Sequence, residues 1–132
     1  MRVLYIEDNE PNAQLVKRIL SHEGHEVIHF ADARPGIEEA ERHPPDVILM
    51  DLSLPGMNGY EAARKMREIP ALREVPIVAL TASVREIDRQ KALAEGFAGF
   101  IEKPIRLDSF RKEIARYARK GPPAVPAGGP TR

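Results

Sequence analysis

The chain contains no cysteine. That excludes a disulfide framework and a thiolate metal site. It also has no excess of charge of either sign, since 20 Lys and Arg offset 20 Asp and Glu for a formal net charge of +0. This balance argues against the bulk attraction that draws basic domains to DNA, RNA or anionic membranes, so no direct nucleic-acid or membrane partner is expected. No apolar run approaches the roughly 18 residues of a membrane span, and a strand pattern begins at the second residue without a signal-peptide pattern. A cytoplasmic protein is the resulting expectation.

What is present suits one globular domain with its own core: 132 residues, of which 42% are hydrophobic and 30% charged. Strand and helix patterns alternate along the chain. Strands are predicted at 2–6, 26–30, 46–50, 76–80 and 98–102, and helices at about 10–23, 34–42, 59–68, 84–95 and 107–119. Five βα units of this length imply an α/β domain with a parallel, doubly wound sheet covered on both faces. Asn9 is placed to cap the first helix, with Pro11 in its first turn. Asn58-x-x-Glu61 and Ser83-x-x-Glu86 follow capping-box spacing. Gly24 and Gly96 stand where helices should stop. Pro35 and Gly36 disfavour any helical turn before residue 34. Leu107, Phe110, Ile114 and Tyr117 make one apolar stripe on the last helix. From Lys120 to Arg132 the sequence reads KGPPAVPAGGPTR, too poor in apolar mass to order itself. The expected organisation is therefore a domain over 1–119 and a disordered Pro/Gly-rich tail or linker stub over 120–132.

The chemistry gathers at the predicted strand ends. The apolar run Val47-Ile48-Leu49-Met50 closes on Asp51, and Val3-Leu4-Tyr5-Ile6 closes on Glu7-Asp8. The fourth strand delivers Thr81 and the fifth Lys103-Pro104. In a parallel sheet these ends share one edge, where open α/β sheets place their ligands. Three carboxylates, a hydroxyl and an ammonium suit a hard divalent cation, Mg2+ or Mn2+, together with a phosphoryl group. A carboxylate beside such a cation can act as a nucleophile and form an acyl phosphate. Lysine and metal supply the electrostatic stabilisation that phosphoryl transfer needs.

Several motifs stand in order: Tyr-Ile-Glu-Asp-Asn at 5–9, Asp-Val-Ile-Leu-Met-Asp at 46–51, Leu-Pro-Gly-Met-Asn-Gly at 54–59, Leu-Thr-Ala at 80–82 and Glu-Lys-Pro at 102–104. With these motifs residues 1–119 resemble the receiver domain of bacterial two-component response regulators. The resemblance implies the flavodoxin-like, CheY-like (βα)5 fold with strand order 2-1-3-4-5. It implies Asp51 as phosphoacceptor, Asp8 and Asp51 as metal ligands with the Ser53 backbone carbonyl, and Glu7 acting on the metal through water. It further implies Thr81 as a switch hydroxyl that moves toward the phosphoryl group, Phe100 at the switch-aromatic position, Lys103 as the phosphate-binding lysine, and a cis bond before Pro104. Phe100 departs from the tyrosine often found there and offers a partner no hydroxyl. The resemblance places Ser53 and Ser83 beside the path of the attacking water; both are small and neither is an acid or amide, so self-dephosphorylation is expected to be neither blocked by bulk nor actively assisted.

The implied function is a phosphorylation-controlled signalling switch of a phosphorelay. Its partners are a sensor histidine kinase or histidine phosphotransfer protein and a downstream protein target. It is not an enzyme with an external substrate. A monomer, or a weak dimer strengthened by phosphorylation through the face of helix 4, strand 5 and helix 5, is expected. A stand-alone receiver is the leading expectation, with a module cut from a larger DNA-binding regulator or hybrid kinase as the alternative. An aspartyl-nucleophile phosphatase needs an acid two residues after its nucleophile, where this chain has Ser53. A flavin carrier needs a hydroxyl- and glycine-rich first loop, where this chain has Glu7-Asp8-Asn9-Glu10. The histidines at 22, 25 and 29 are spaced by 3 and 4 but across a helix end and a loop, so they define no helical ligand face, and with His43 they are read as surface residues away from the acidic pocket.

Overall fold

The computed structural model describes residues 1–53, 58–82 and 89–119. Among them the order is β1 (Arg2–Ile6), α1 (Glu10–His22), β2 (Glu26–Phe30), α2 (Ala33–Arg42), β3 (Val47–Asp51), α3 (Gly59–Arg67), a short 3-10 turn (Pro70–Leu72), β4 (Ile77–Thr81), α4 (Arg89–Ala94), β5 (Phe97–Glu102) and α5 (Leu107–Arg119). The strands form one parallel sheet in the order β2-β1-β3-β4-β5. The chain runs from β1 outward to β2, then crosses back to β3 on β1's other side. That reversal opens a crevice at the carboxyl ends of β1 and β3.

Both faces of the sheet are covered, which explains why β3 and β4 are buried throughout and apolar without alternation up to their last residues, Asp51 and Thr81. On one face Val16, Ile19 and Leu20 of α1 and Phe110, Ile114 and Tyr117 of α5 pack on Val3, Tyr5, Leu49, Val78 and Leu80. On the other, Ala40, Ala62, Ala63 and Met66 of α2 and α3 pack on Leu4, Ile6, Ile48, Met50 and Ile77. Leu107 departs from the stripe expected of α5: it opens the helix and is 53% exposed.

Helix ends follow local chemistry. The Asn9 side chain accepts from Asn12 N at 2.9 Å, and that of Asn58 from Glu61 N at 2.9 Å. Gly24 and Gly96 adopt φ of 87° and 102° just beyond α1 and α4, a left-handed turn that glycine makes without strain. α2 begins at Ala33, one residue before its predicted start, so Pro35 lies in the first turn, where its missing N–H has no intrahelical partner to lose. β3 and β4 each run one residue further than predicted, because Asp51 pairs with Leu80 and Thr81 with Glu102 in the ladder. The Ser83-x-x-Glu86 capping pattern, the start predicted for the fourth helix and the 120–132 tail lie outside the described residues.

Candidate functional site

The carboxyl edge of the sheet is built by four strand ends. β1 passes directly into Glu7 and Asp8, and Glu7 N donates to Phe30 O at 3.0 Å, holding the exit of β1 against β2. β3 ends on Asp51 itself, and Leu52 N continues the ladder to Leu80 O at 3.1 Å. Lys103 N donates to Thr81 O at 2.7 Å, so the segment leaving β5 is tied to the end of β4. The Lys103–Pro104 bond is cis. α3 approaches from the third side: a Cβ on Gly59 would lie 2.9 Å from Leu52 Cα and 3.2 Å from Asp51 O. Only glycine lets the helix start this close to the end of β3.

Ligand oxygens of Glu7, Asp8 and Asp51 all lie within 4.8 Å of one another. Glu7 and Asp51 are buried, with 1% and 3% of their surface exposed, while Asp8 opens to solvent. Lys103 Nζ sits 3.1 Å from Asp51 Oδ2 and 3.5 Å from Glu7 Oε1. Asp51 Oδ1 accepts from Ser53 N at 2.9 Å. Glu7 Oε2 accepts from Asn9 N at 3.3 Å, and Oε1 from the Tyr5 hydroxyl at 3.1 Å. Thr81 is buried at the same edge, beside Glu102 in register. Phe100 stands two residues before the end of β5, level with Ala79, half-buried against the α2/α3 side of the core with its ring 6.3 Å from that of Phe97.

Three carboxylates face one ammonium here, and the strain shows in Glu7. Burial first, then the hydrogen bond and the charge of Asp51, push its carboxyl up to about 7, against the smaller opposing pulls of Lys103 and Asn9 N. A divalent cation would relieve this repulsion. The donors are oxygens only, one carboxylate faces solvent where an ion could keep waters, and no soft ligand is among them, so the set fits Mg2+ or Mn2+.

Two of the site's supports were not foreseen. Tyr5 reads from sequence as an ordinary core residue, yet its hydroxyl reaches Glu7. His29 reads as a surface residue away from the pocket. It is in fact half-buried, its Nε2 2.8 Å from Glu7 O and its ring 5.4 Å from that of Tyr5. The Tyr5–His29 pairing depends on the register of β1 with β2, which local pattern does not specify. His22 and His43 are exposed, and His25 lies beside the N-terminal amine.

Comparison with known proteins agrees with this geometry. The family described as the response regulator receiver domain matches residues 3–115. The polar-differentiation response regulator DivK of Brucella anthropi is 32% identical over 87% of this chain and 94% of its own length. The receiver domain of sensor histidine kinase PA1611 from Pseudomonas aeruginosa, solved with a magnesium ion coordinated in its active-site cleft, is 34% identical, with a TM-score of 0.81 over 88% of this chain and 95% of that one. The chemotaxis protein CheY4 of Vibrio cholerae is 29% identical, with a TM-score of 0.83 over 88% of this chain and 97% of that one. Motifs, sheet order and these similarities converge on one conclusion: this protein belongs to the response regulator receiver domain family.

Proposed function

We propose that this chain is a phosphorylation-controlled switch in which Asp51 takes a phosphoryl group from the histidine of a sensor kinase or phosphotransfer protein. The observation that carries this reading is the buried Asp51 carboxylate at a strand end, 3.1 Å from Lys103 Nζ and clustered with Glu7 and Asp8. A carboxylate oxygen of Asp51 attacks phosphorus. The new O–P bond forms as the N–P bond to the donor histidine breaks, and the electron pair returns to the imidazole nitrogen. Lys103 binds charge on the transferring phosphoryl oxygens, and Thr81 offers them its hydroxyl. Asp8, Asp51 and the Ser53 carbonyl would hold Mg2+ or Mn2+, with Glu7 acting through water. The ion's part is to offset negative charge between carboxylates and phosphoryl group.

Output is a shift between two conformations rather than turnover of an external substrate. Thr81 moving toward the phosphoryl group and Phe100 changing its packing alter the α4–β5–α5 face. There a downstream protein, or a second copy in a weak dimer, reads the change. The match spans 94% of DivK's length, which supports a receiver that itself serves as a response regulator as the first reading. The likeness to a kinase's receiver keeps the module of a larger protein as the second reading.

Intact-protein mass spectrometry after incubation with acetyl phosphate or phosphoramidate tests the proposal. One added phosphoryl group is expected, dependent on Mg2+ and lost in EDTA and in Asp51→Asn. An adduct that persists in Asp51→Asn would refute the assignment of the phosphoacceptor. Steady hydrolysis of a generic phosphate monoester would favour the phosphatase reading instead.

A further inference from the structure

Beneath the acidic cluster a buried tyrosine ring and a half-buried histidine ring pair in a way that phosphoryl transfer does not itself use. Tyr5 and Glu7 are two residues apart on the same face of the chain leaving β1. Tyr5 is wholly buried, and its hydroxyl donates to Glu7 Oε1 at 3.1 Å. His29, beside Tyr5 in the β1–β2 ladder, has Nε2 2.8 Å from Glu7 O. A carbonyl only accepts, so this nitrogen carries the hydrogen. With Asn9 N on Oε2, both oxygens of the carboxylate and the peptide behind it are held. An ionised carboxylate only accepts, so the Tyr5 hydroxyl is the donor of this pair. Phenylalanine would fill the same core volume, so the ring's packing does not require the oxygen.

We propose that Tyr5 is a positioning residue for divalent-cation binding, its hydroxyl fixing the Glu7 carboxylate in the orientation that serves the ion. This rests on reading the acidic cluster as a cation site. Partners that orient direct metal ligands are worth about 10–100-fold in affinity; Glu7 reaches the ion through water, so the low end, a loss of about tenfold, is expected for Tyr5→Phe.

The experiment is calorimetric titration of Mg2+ into the full chain, Tyr5→Phe, Glu7→Ala and the double variant, with thermal melts of each in EDTA and in Mg2+. Tyr5→Phe should weaken Mg2+ binding about tenfold, while adding it to Glu7→Ala should weaken binding no further, because no carboxylate is left to orient. Its loss in melting temperature should be larger in Mg2+ than in EDTA, since weaker binding gives less stabilisation by linkage. A role in packing alone would lower both melts equally. Parent binding with a Tyr5→Phe affinity within about twofold, or an equal loss in the Glu7→Ala background, would overturn the role of Tyr5 alone. A parent chain that binds no Mg2+ would overturn both this role and the cation-site reading.

Discussion

Raising the pH from about 4.5 to about 8 without divalent cations should destabilise this fold, and Glu7 sets the size of the effect. In the unfolded chain its carboxyl has the ordinary value of 4.5; in the folded chain burial and then Asp51 raise it to about 7. The folded state thus binds the proton more tightly. Its stability is fully present below the unfolded value and is lost as pH rises through the folded one. At about 1.4 kcal/mol per tenfold change in proton affinity, ionising Glu7 in place costs about 3 kcal/mol. That is a large part of the roughly 5–15 kcal/mol that stabilises a typical domain. Urea unfolding in EDTA, followed by circular dichroism at a series of pH values, measures it against Glu7→Gln, which mimics the protonated acid. The difference between the two curves isolates Glu7. Carboxyls such as Glu95, which its hydrogen bond to Arg64 holds low, contribute to both variants alike. The parent should lose about 3 kcal/mol relative to Glu7→Gln across this interval, and saturating Mg2+ should flatten the slope. Parallel curves, or a parent that gains on the variant as pH rises, would refute the reasoning.

Other consequences can be measured with the same tools. Asp51→Asn should raise stability in EDTA at neutral pH by about 1 kcal/mol or more, because it removes the charge that most opposes ionised Glu7; a lower melting temperature would contradict the electrostatic account. Lys103→Ala removes the cation between Glu7 and Asp51. It should cost up to about 3 kcal/mol, the low end for breaking a buried pair because Glu7 can take up a proton instead; amide chemical shifts should also respond less to phosphorylation than in the parent. Gly59→Ala should be destabilising by about 1–3 kcal/mol despite alanine's better helix propensity, since its Cβ would meet Leu52 Cα at 2.9 Å; an unchanged urea midpoint would show that the α3 start can retreat. Arg67→Ala should cost about 1–3 kcal/mol by removing the guanidinium that donates to the carbonyls of Leu72, Arg73 and Gly96 at 2.7, 3.1 and 2.7 Å, although Leu72 O keeps Val75 N as a donor; a loss below about 1 kcal/mol would mean that solvent replaces it.

Much of this architecture was legible in the chain because its causes are local. Unbroken apolar runs such as Val47–Met50 mark strands covered on both faces, and Asn9 and Asn58 cap helices through atoms three residues away. Runs that close on acids, in a sheet whose strands all point one way, bring Glu7, Asp8 and Asp51 to a common edge. Contacts that depend on register between distant segments were not legible. Which residue of β2 stands beside Tyr5 depends on how two strands slide past each other. Only the folded chain set His29 against the Glu7 carbonyl and turned an apparent core tyrosine toward a carboxylate. The exposure of Leu107 and the need for glycine at 59 likewise come from where helices end against their neighbours. The types and order of the site's residues are properties of the sequence, since they lie along one covalent chain. The shift of Glu7, its partners and the distances that govern its charge are properties of the tertiary structure, because desolvation and Coulomb energy exist only once segments far apart in the chain exclude water together.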